Sequence, residues 1–84
     1  MVTIVYFAWV REAIGRDEEQ VERPASDTTV ADLIAMLAAR GGGYAQGLGD
    51  ATRLRAAIDQ RFVPIDTVIG DAREVAIFPP VTGG

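Results

Sequence analysis

Eighty-four residues, 49% of them hydrophobic and 24% charged, make one small globular domain, because chains divide at roughly 100–200 residues per domain. Cysteine, histidine and lysine are all absent and the eight basic residues are all arginine, which excludes disulfides, zinc and iron–sulfur ligation, Ser-His and Cys-His dyads, Schiff bases and a Walker lysine. Twelve acidic residues against those eight arginines leave a net charge of −4, the wrong sign for nucleic acid or a membrane surface and the right one for a basic protein partner.

The N-terminus, Met1-Val2-Thr3-Ile4-Val5-Tyr6-Phe7, has neither a basic start nor a small-residue cleavage site, and no apolar run in the chain approaches the ~20 residues of a bilayer span. A soluble, cytoplasmic chain is expected. Residues 2–8 have the β-branched and aromatic composition of a well-buried strand. Alternation sets Val2, Ile4 and Tyr6 on one face and Val5 and Phe7 on the other. Trp9 to Gly15 has helical or turn character and stops at glycine. Glu18 to Glu22 resumes as a polar second strand that ends at Pro24, so residues 2–23 form a hairpin with a wide connection.

Thr29 can cap a helix, with Asp32 three residues on as the acidic partner of a capping box. Val30, Leu33, Ile34 and Leu37 follow at i, i+3, i+4 and i+7, one apolar stripe for packing on a sheet, with Arg40 in the last turn and Gly41 as the stop. Gly41 to Asp50 is expected to be a flexible glycine-rich connection. A phosphate cradle is the competing reading, but its glycines match neither the Walker nor the dinucleotide spacing and no strand leads into it. Leu54 to Asp59 reads as a third strand, Arg61 to Pro64 as a short fourth segment, and Ile65 to Asp71 as a turn-rich crossing. Arg73 to Phe78 is the last strand, with Val75 and Ile77 on one face and Ala76 and Phe78 on the other.

One main helix on a mixed sheet, with the first and last strands the most apolar, predicts that those two strands are central neighbours and pair in parallel. This is an α+β fold, the ubiquitin-like β-grasp, over residues 1–78, followed by an extended tail over 79–84. In that tail Pro79 and Pro80 cannot continue a central strand, and the six residues from Pro79 can span roughly 20 Å at ~3.3 Å each. A frayed, idle tail is the competing reading. Against it stands the chemistry of a diglycine end. A terminal carboxylate is ionised at neutral pH and can attack the α-phosphate of ATP, and glycine leaves the resulting acyl group open to a nucleophile.

The run Glu74-Val75-Ala76-Ile77-Phe78-Pro79-Pro80-Val81-Thr82-Gly83-Gly84, the opening Phe7-Ala8-Trp9-Val10-Arg11-Glu12-Ala13-Ile14-Gly15, and Ala56-Ala57-Ile58-Asp59-Gln60 with Ile65-Asp66 between them closely resemble the small, sulfur-carrying subunits of molybdopterin synthase. The resemblance covers essentially the whole chain. It implies that an ATP-dependent activating enzyme adenylates Gly84, that sulfur displaces AMP to give a thiocarboxylate, and that a large synthase subunit passes this sulfur to a cyclic pyranopterin precursor. It also implies no bound cofactor, no catalytic side chain in this chain, and a two-plus-two complex with the large subunit. The expected site residues are Gly84 and Gly83 for the chemistry. Partner binding is expected of Phe78, Phe62, Arg11, Pro79, Pro80, Val81 and Thr82. Core burial competes with docking for Phe78 and Phe62, and simple solvation competes for Arg11. Carriage of sulfur to thiamine thiazole or cysteine, or a ubiquitin-like protein modifier, are the alternative functions.

Overall fold

The first strand, β1 (Val2–Tyr6), alternates as its residue types dictate: Val2, Ile4 and Tyr6 are buried, while Thr3 and Val5 face the other way and are only half-buried. The computed structural model describes residues 1–80. After β1 come helix α1 (Ala8–Ile14), strand β2 (Glu18–Val21), helices α2 (Val30–Ala38) and α3 (Gly42–Leu48), a 3₁₀ turn (Ala51–Arg53), and strands β3 (Arg55–Ile58), β4 (Arg61–Val63) and β5 (Glu74–Phe78). The strands form one mixed sheet in the order β2-β1-β5-β3-β4. As predicted, β1 and β5 are central neighbours and run parallel, with Ile4 opposite Val75 and Tyr6 opposite Ile77. All the other pairings in the sheet are antiparallel.

Helix α2 closes one face of the sheet with the expected stripe of Val30, Leu33, Ile34 and Leu37, all buried. Its capping box forms: the Asp32 backbone N–H donates to Thr29 Oγ1 at 3.0 Å, and the Thr29 N–H donates to Asp32 Oδ2 at 3.3 Å. Two more orphan donors of the first turn, the N–H groups of Val30 and Ala31, reach the carbonyls of Thr67 and Ile65 in the crossing segment at 2.9 and 2.8 Å. The helix ends at Ala38, three residues before the predicted stop at Gly41. Arg40 and Gly41 donate to Leu37 and Ala38, a tightened 3₁₀-like end that leaves Arg40 beyond the last turn.

The glycine-rich segment expected to be a flexible connection is a helix instead. Gly43 and Gly47 of α3 face α1 so closely that a Cβ on Gly43 would run into the backbone carbonyl of Ala13, and one on Gly47 would lie 3.2 Å from Ala13 Cβ. Glycine is a poor helix former, yet here it lets two short helices touch backbone to backbone and buries Leu48. Tertiary packing overrides propensity, and the glycines serve neither flexibility nor phosphate binding.

A second tie was illegible in the sequence. Glu19 on β2, with only 9% of its side chain exposed, accepts from the phenols of Tyr6 at 2.8 Å and Tyr44 at 2.7 Å through one carboxylate oxygen. Its other oxygen accepts from Arg40 at 3.0 Å and Arg16 at 3.4 Å. The Arg40 guanidinium also lies 5.0 Å over the Tyr44 ring. Burial pushes the Glu19 carboxyl up, but the hydrogen bonds from Tyr44, Tyr6 and Arg40, with the Arg40 charge, outweigh it and hold the group below the ordinary glutamate range. A carboxyl depressed in the folded state adds stability above its unfolded value of about 4.3 and loses it as pH falls through the folded value. Glu19→Gln is therefore expected to melt lower than the wild type at pH 7, with the gap narrowing as the pH drops below about 4. Thermal melts of both proteins across that range check this, and a gap independent of pH would refute the ionised-carboxylate account.

Candidate functional site

The face of the sheet opposite α2 carries the side chains that alternation turns away from the core. Ala57 of β3 lies opposite Ala76 of β5, and Phe62 of β4 lies opposite Ala57, so one cross-strand row runs Ala76, Ala57, Phe62. The two alanines keep the floor low. Around them stand three aromatic rings. Phe78 is half-buried at the end of β5, Phe7 follows β1 with 46% of its surface exposed, and Phe62 is 82% exposed. Phe7 and Phe78 meet edge to face with centroids 6.4 Å apart, and Phe62 and Phe78 are tilted at 5.5 Å.

The result is a concave apolar groove of about 480 Å³ over Ala57 and Ala76. It runs along β5 from Glu74 and Gln60 at one end to Phe78, Pro79 and Pro80 at the other. A second hollow of about 410 Å³, bordered by Arg55, Val63 and Pro64, lies beyond Phe62 and Phe78, so these two rings form a ridge between two depressions. A phenylalanine exposed to this extent beside an apolar hollow is the usual composition of a protein-docking centre.

The structure brings together four of the expected partner-binding residues, Phe62, Phe78, Pro79 and Pro80. The alternation prediction for β5 holds: Val75 and Ile77 are fully buried and Phe78 faces the groove. Arg11 lies outside the groove, on α1, with its guanidinium Nε 3.9 Å from Asp17 Oδ1 in an exposed ion pair. Val81, Thr82, Gly83 and Gly84 lie outside the described residues. Sequence reasoning missed Phe7, Gln60 and Glu74 as groove residues. For Phe7 the signal was present, since period-two alternation set it on the same side as Val5; Gln60 and Glu74 required the β3–β4 turn to be seen beside the start of β5.

Backbone strain concentrates at the same place. Among the described residues, three non-glycine residues have positive φ: Ala8 at 54°, Asp59 at 47° and Gln60 at 71°. Ala8 and Gln60 both line the groove, and a left-handed backbone costs an L-residue about 1–2 kcal/mol. Asp59 and Gln60 are the two loop residues of the β3–β4 hairpin, in which Ile58 pairs with Arg61, and positive φ at both is what a type I′ turn requires. Asp59 is compensated, its Oδ1 accepting from the backbone N–H groups of Arg73 and Glu74 at 2.9 and 3.0 Å. Among the described residues Gln60 has no side-chain hydrogen bond, no group of acidic side chains could hold a metal ion, and no helix is long and apolar enough to cross a membrane.

A five-stranded mixed sheet with a parallel central pair, one face packed under helices and the other open, defines a ubiquitin-like β-grasp domain. The solution structure of the Haloferax volcanii HVO 2177 protein superposes with a TM-score of 0.73 at 28% identity, covering 99% of this chain and 85% of that one. The ThiS family matches residues 4–84, and the chain belongs to that family. The molybdopterin synthase sulfur carrier subunit of Escherichia coli (strain K12) is 42% identical over 84 residues, 100% of both chains. The protein of the same name from Mycobacterium tuberculosis is 32% identical over 83 residues, 99% of this chain and 96% of its own.

Proposed function

We propose that this chain is a sulfur carrier in molybdenum-cofactor biosynthesis, a cytoplasmic partner of a large molybdopterin synthase subunit. The observation that carries this reading is the full-length likeness to proteins named molybdopterin synthase sulfur carrier subunit. The open aromatic groove supports it, because the groove ends at Pro79 and Pro80, from which the sequence continues to Gly83-Gly84.

In this reading residues 1–78 are the docking body and 79–84 the delivery arm. A carboxylate oxygen of Gly84 attacks the α-phosphorus of ATP on a separate activating enzyme, and pyrophosphate leaves. Sulfide-level sulfur, HS−, then adds to the acyl carbon, and AMP leaves with the C–O bond electrons, giving a thiocarboxylate. The large subunit supplies the side chains that pass this sulfur to a cyclic pyranopterin precursor. A dithiolene needs two sulfurs, so two carriers serve each product. Arg11, Val81 and Thr82 join the groove residues in partner contact.

The test is intact-mass analysis after incubation with ATP, the activating enzyme and a sulfur donor. The expected result is a gain equal to exchange of one oxygen for sulfur, lost again when the large subunit and pterin precursor are added and dithiolene forms. An unchanged mass would overturn the carrier reading. A charged carrier that never discharges to the precursor would move it to another pathway.

A further inference from the structure

Resting on the docking reading above, we propose that Gln60 is a specificity-determining residue of the groove, its side-chain amide forming with Glu74 a polar end that receives a basic side chain of the large subunit. Three observations converge on it. Gln60 occupies a left-handed position that glycine would fill more easily, since an Asp-Gly pair is the favoured type I′ loop. Its side chain is exposed and has no hydrogen-bond partner among the described residues, whereas its neighbour Asp59 is held by two backbone donors. It also lines the groove at the one end that is not apolar, beside Glu74.

Strain retained at a groove rim points to recognition. An apolar groove alone accepts any greasy side chain, and discrimination comes from polar groups that a wrong partner leaves unpaired. The amide oxygen of Gln60 and the Glu74 carboxylate are both acceptors, and the hollow they share with Asp59 and Arg73 holds two acids against one arginine. The matching group is therefore cationic, on a segment of the large subunit whose apolar side chain sits over Ala57 and Ala76 between the three rings.

The experiment measures affinity for the isolated large subunit and melting temperature for the wild type, Gln60→Gly, Gln60→Asn and Glu74→Gln. Gln60→Gly is expected to melt at or above the wild-type temperature yet bind ~10-fold more weakly, the size of one lost hydrogen bond to a charged group. Gln60→Asn tolerates the left-handed backbone and keeps a shorter amide, so it should recover part of that loss. Glu74→Gln should flatten the salt dependence of binding. Gln60→Gly binding within twofold of the wild type would overturn the proposal, as would a fall in its melting temperature that tracks the affinity, because the role would then be structural. A wild type that dimerises through this face, with the dimer broken by Gln60→Gly, would assign the groove to a second copy and overturn it too. If the wild type itself does not bind the large subunit, the docking reading falls with it; if the wild type binds and only the Gln60 contrast is missing, that reading stands and this inference alone fails.

Discussion

A carrier shortened by Gly84, or extended by one residue beyond it, is expected to transfer no sulfur and to melt at the wild-type temperature. In the proposed chemistry an added residue turns the Gly84 carboxylate into an amide that cannot form an acyl adenylate, and removing Gly84 leaves the carboxylate of Gly83 one residue, ~3.3 Å, short of the reacting centre. Stability should be indifferent because among the described residues the buried core ends at Ile77 and the five strands of the sheet lie within residues 2–78. Ala in place of Gly83 or Gly84 should reduce turnover less completely, through bulk near the reacting carbonyl. Activity assays with the purified partners and a thermal melt make the comparison. Normal turnover from a chain whose extra residue is shown by mass to be uncleaved would end the thiocarboxylate account.

Phe78→Ala is expected to weaken association with the large subunit at least ~30-fold, since truncating an aromatic anchor at an interface centre costs about 2 kcal/mol or more and each 1.4 kcal/mol is a decade. Its effect on folding should be modest. Phe78 is half-buried and loses two aromatic contacts, with Phe7 and Phe62, at about 0.5–1.5 kcal/mol each. Ile77, one residue earlier and fully buried on the α2 side, supplies the opposite pattern. Ile77→Ala should cost about 2–5 kcal/mol of folding, at ~4–8 °C per kcal/mol for a domain of this size, without a specific effect on binding of the folded fraction. Melting curves and binding isotherms for both variants decide the matter: a stable Ile77→Ala beside a badly destabilised Phe78→Ala would reverse the faces of β5.

The parts of this molecule legible in the sequence are those governed by local pattern. Alternation separated the buried Val75 and Ile77 from Phe78, the Thr29–Asp32 spacing announced the capping box, and the apolar character of the first and last strands identified the parallel pair. What remained hidden depends on distant partners. Gly42 to Leu48 carries three glycines, and only the close packing of Ala13 against Gly43 and Gly47 explains why it is helical. Glu19 is one of several acids in a polar strand until Tyr6, Tyr44, Arg16 and Arg40 converge on it from other elements. The groove is assembled from rings that follow β1, sit in β4 and end β5, with a polar rim set by a left-handed turn at Asp59 and Gln60 that has none of the usual Asn-Gly or Asp-Gly signal.

The parallel pairing of β1 and β5 also has a mechanical side. The segment leading to Gly84 leaves the sheet from its middle strand, which is hydrogen-bonded to β1 on one flank and β3 on the other. A tug along that segment would load both ladders along the strand direction. The hydrogen bonds then share the force side by side rather than opening one after another, as they would in a strand peeled from an edge. The chain after β5 is thus moored to a strand held by hydrogen-bond ladders on both flanks.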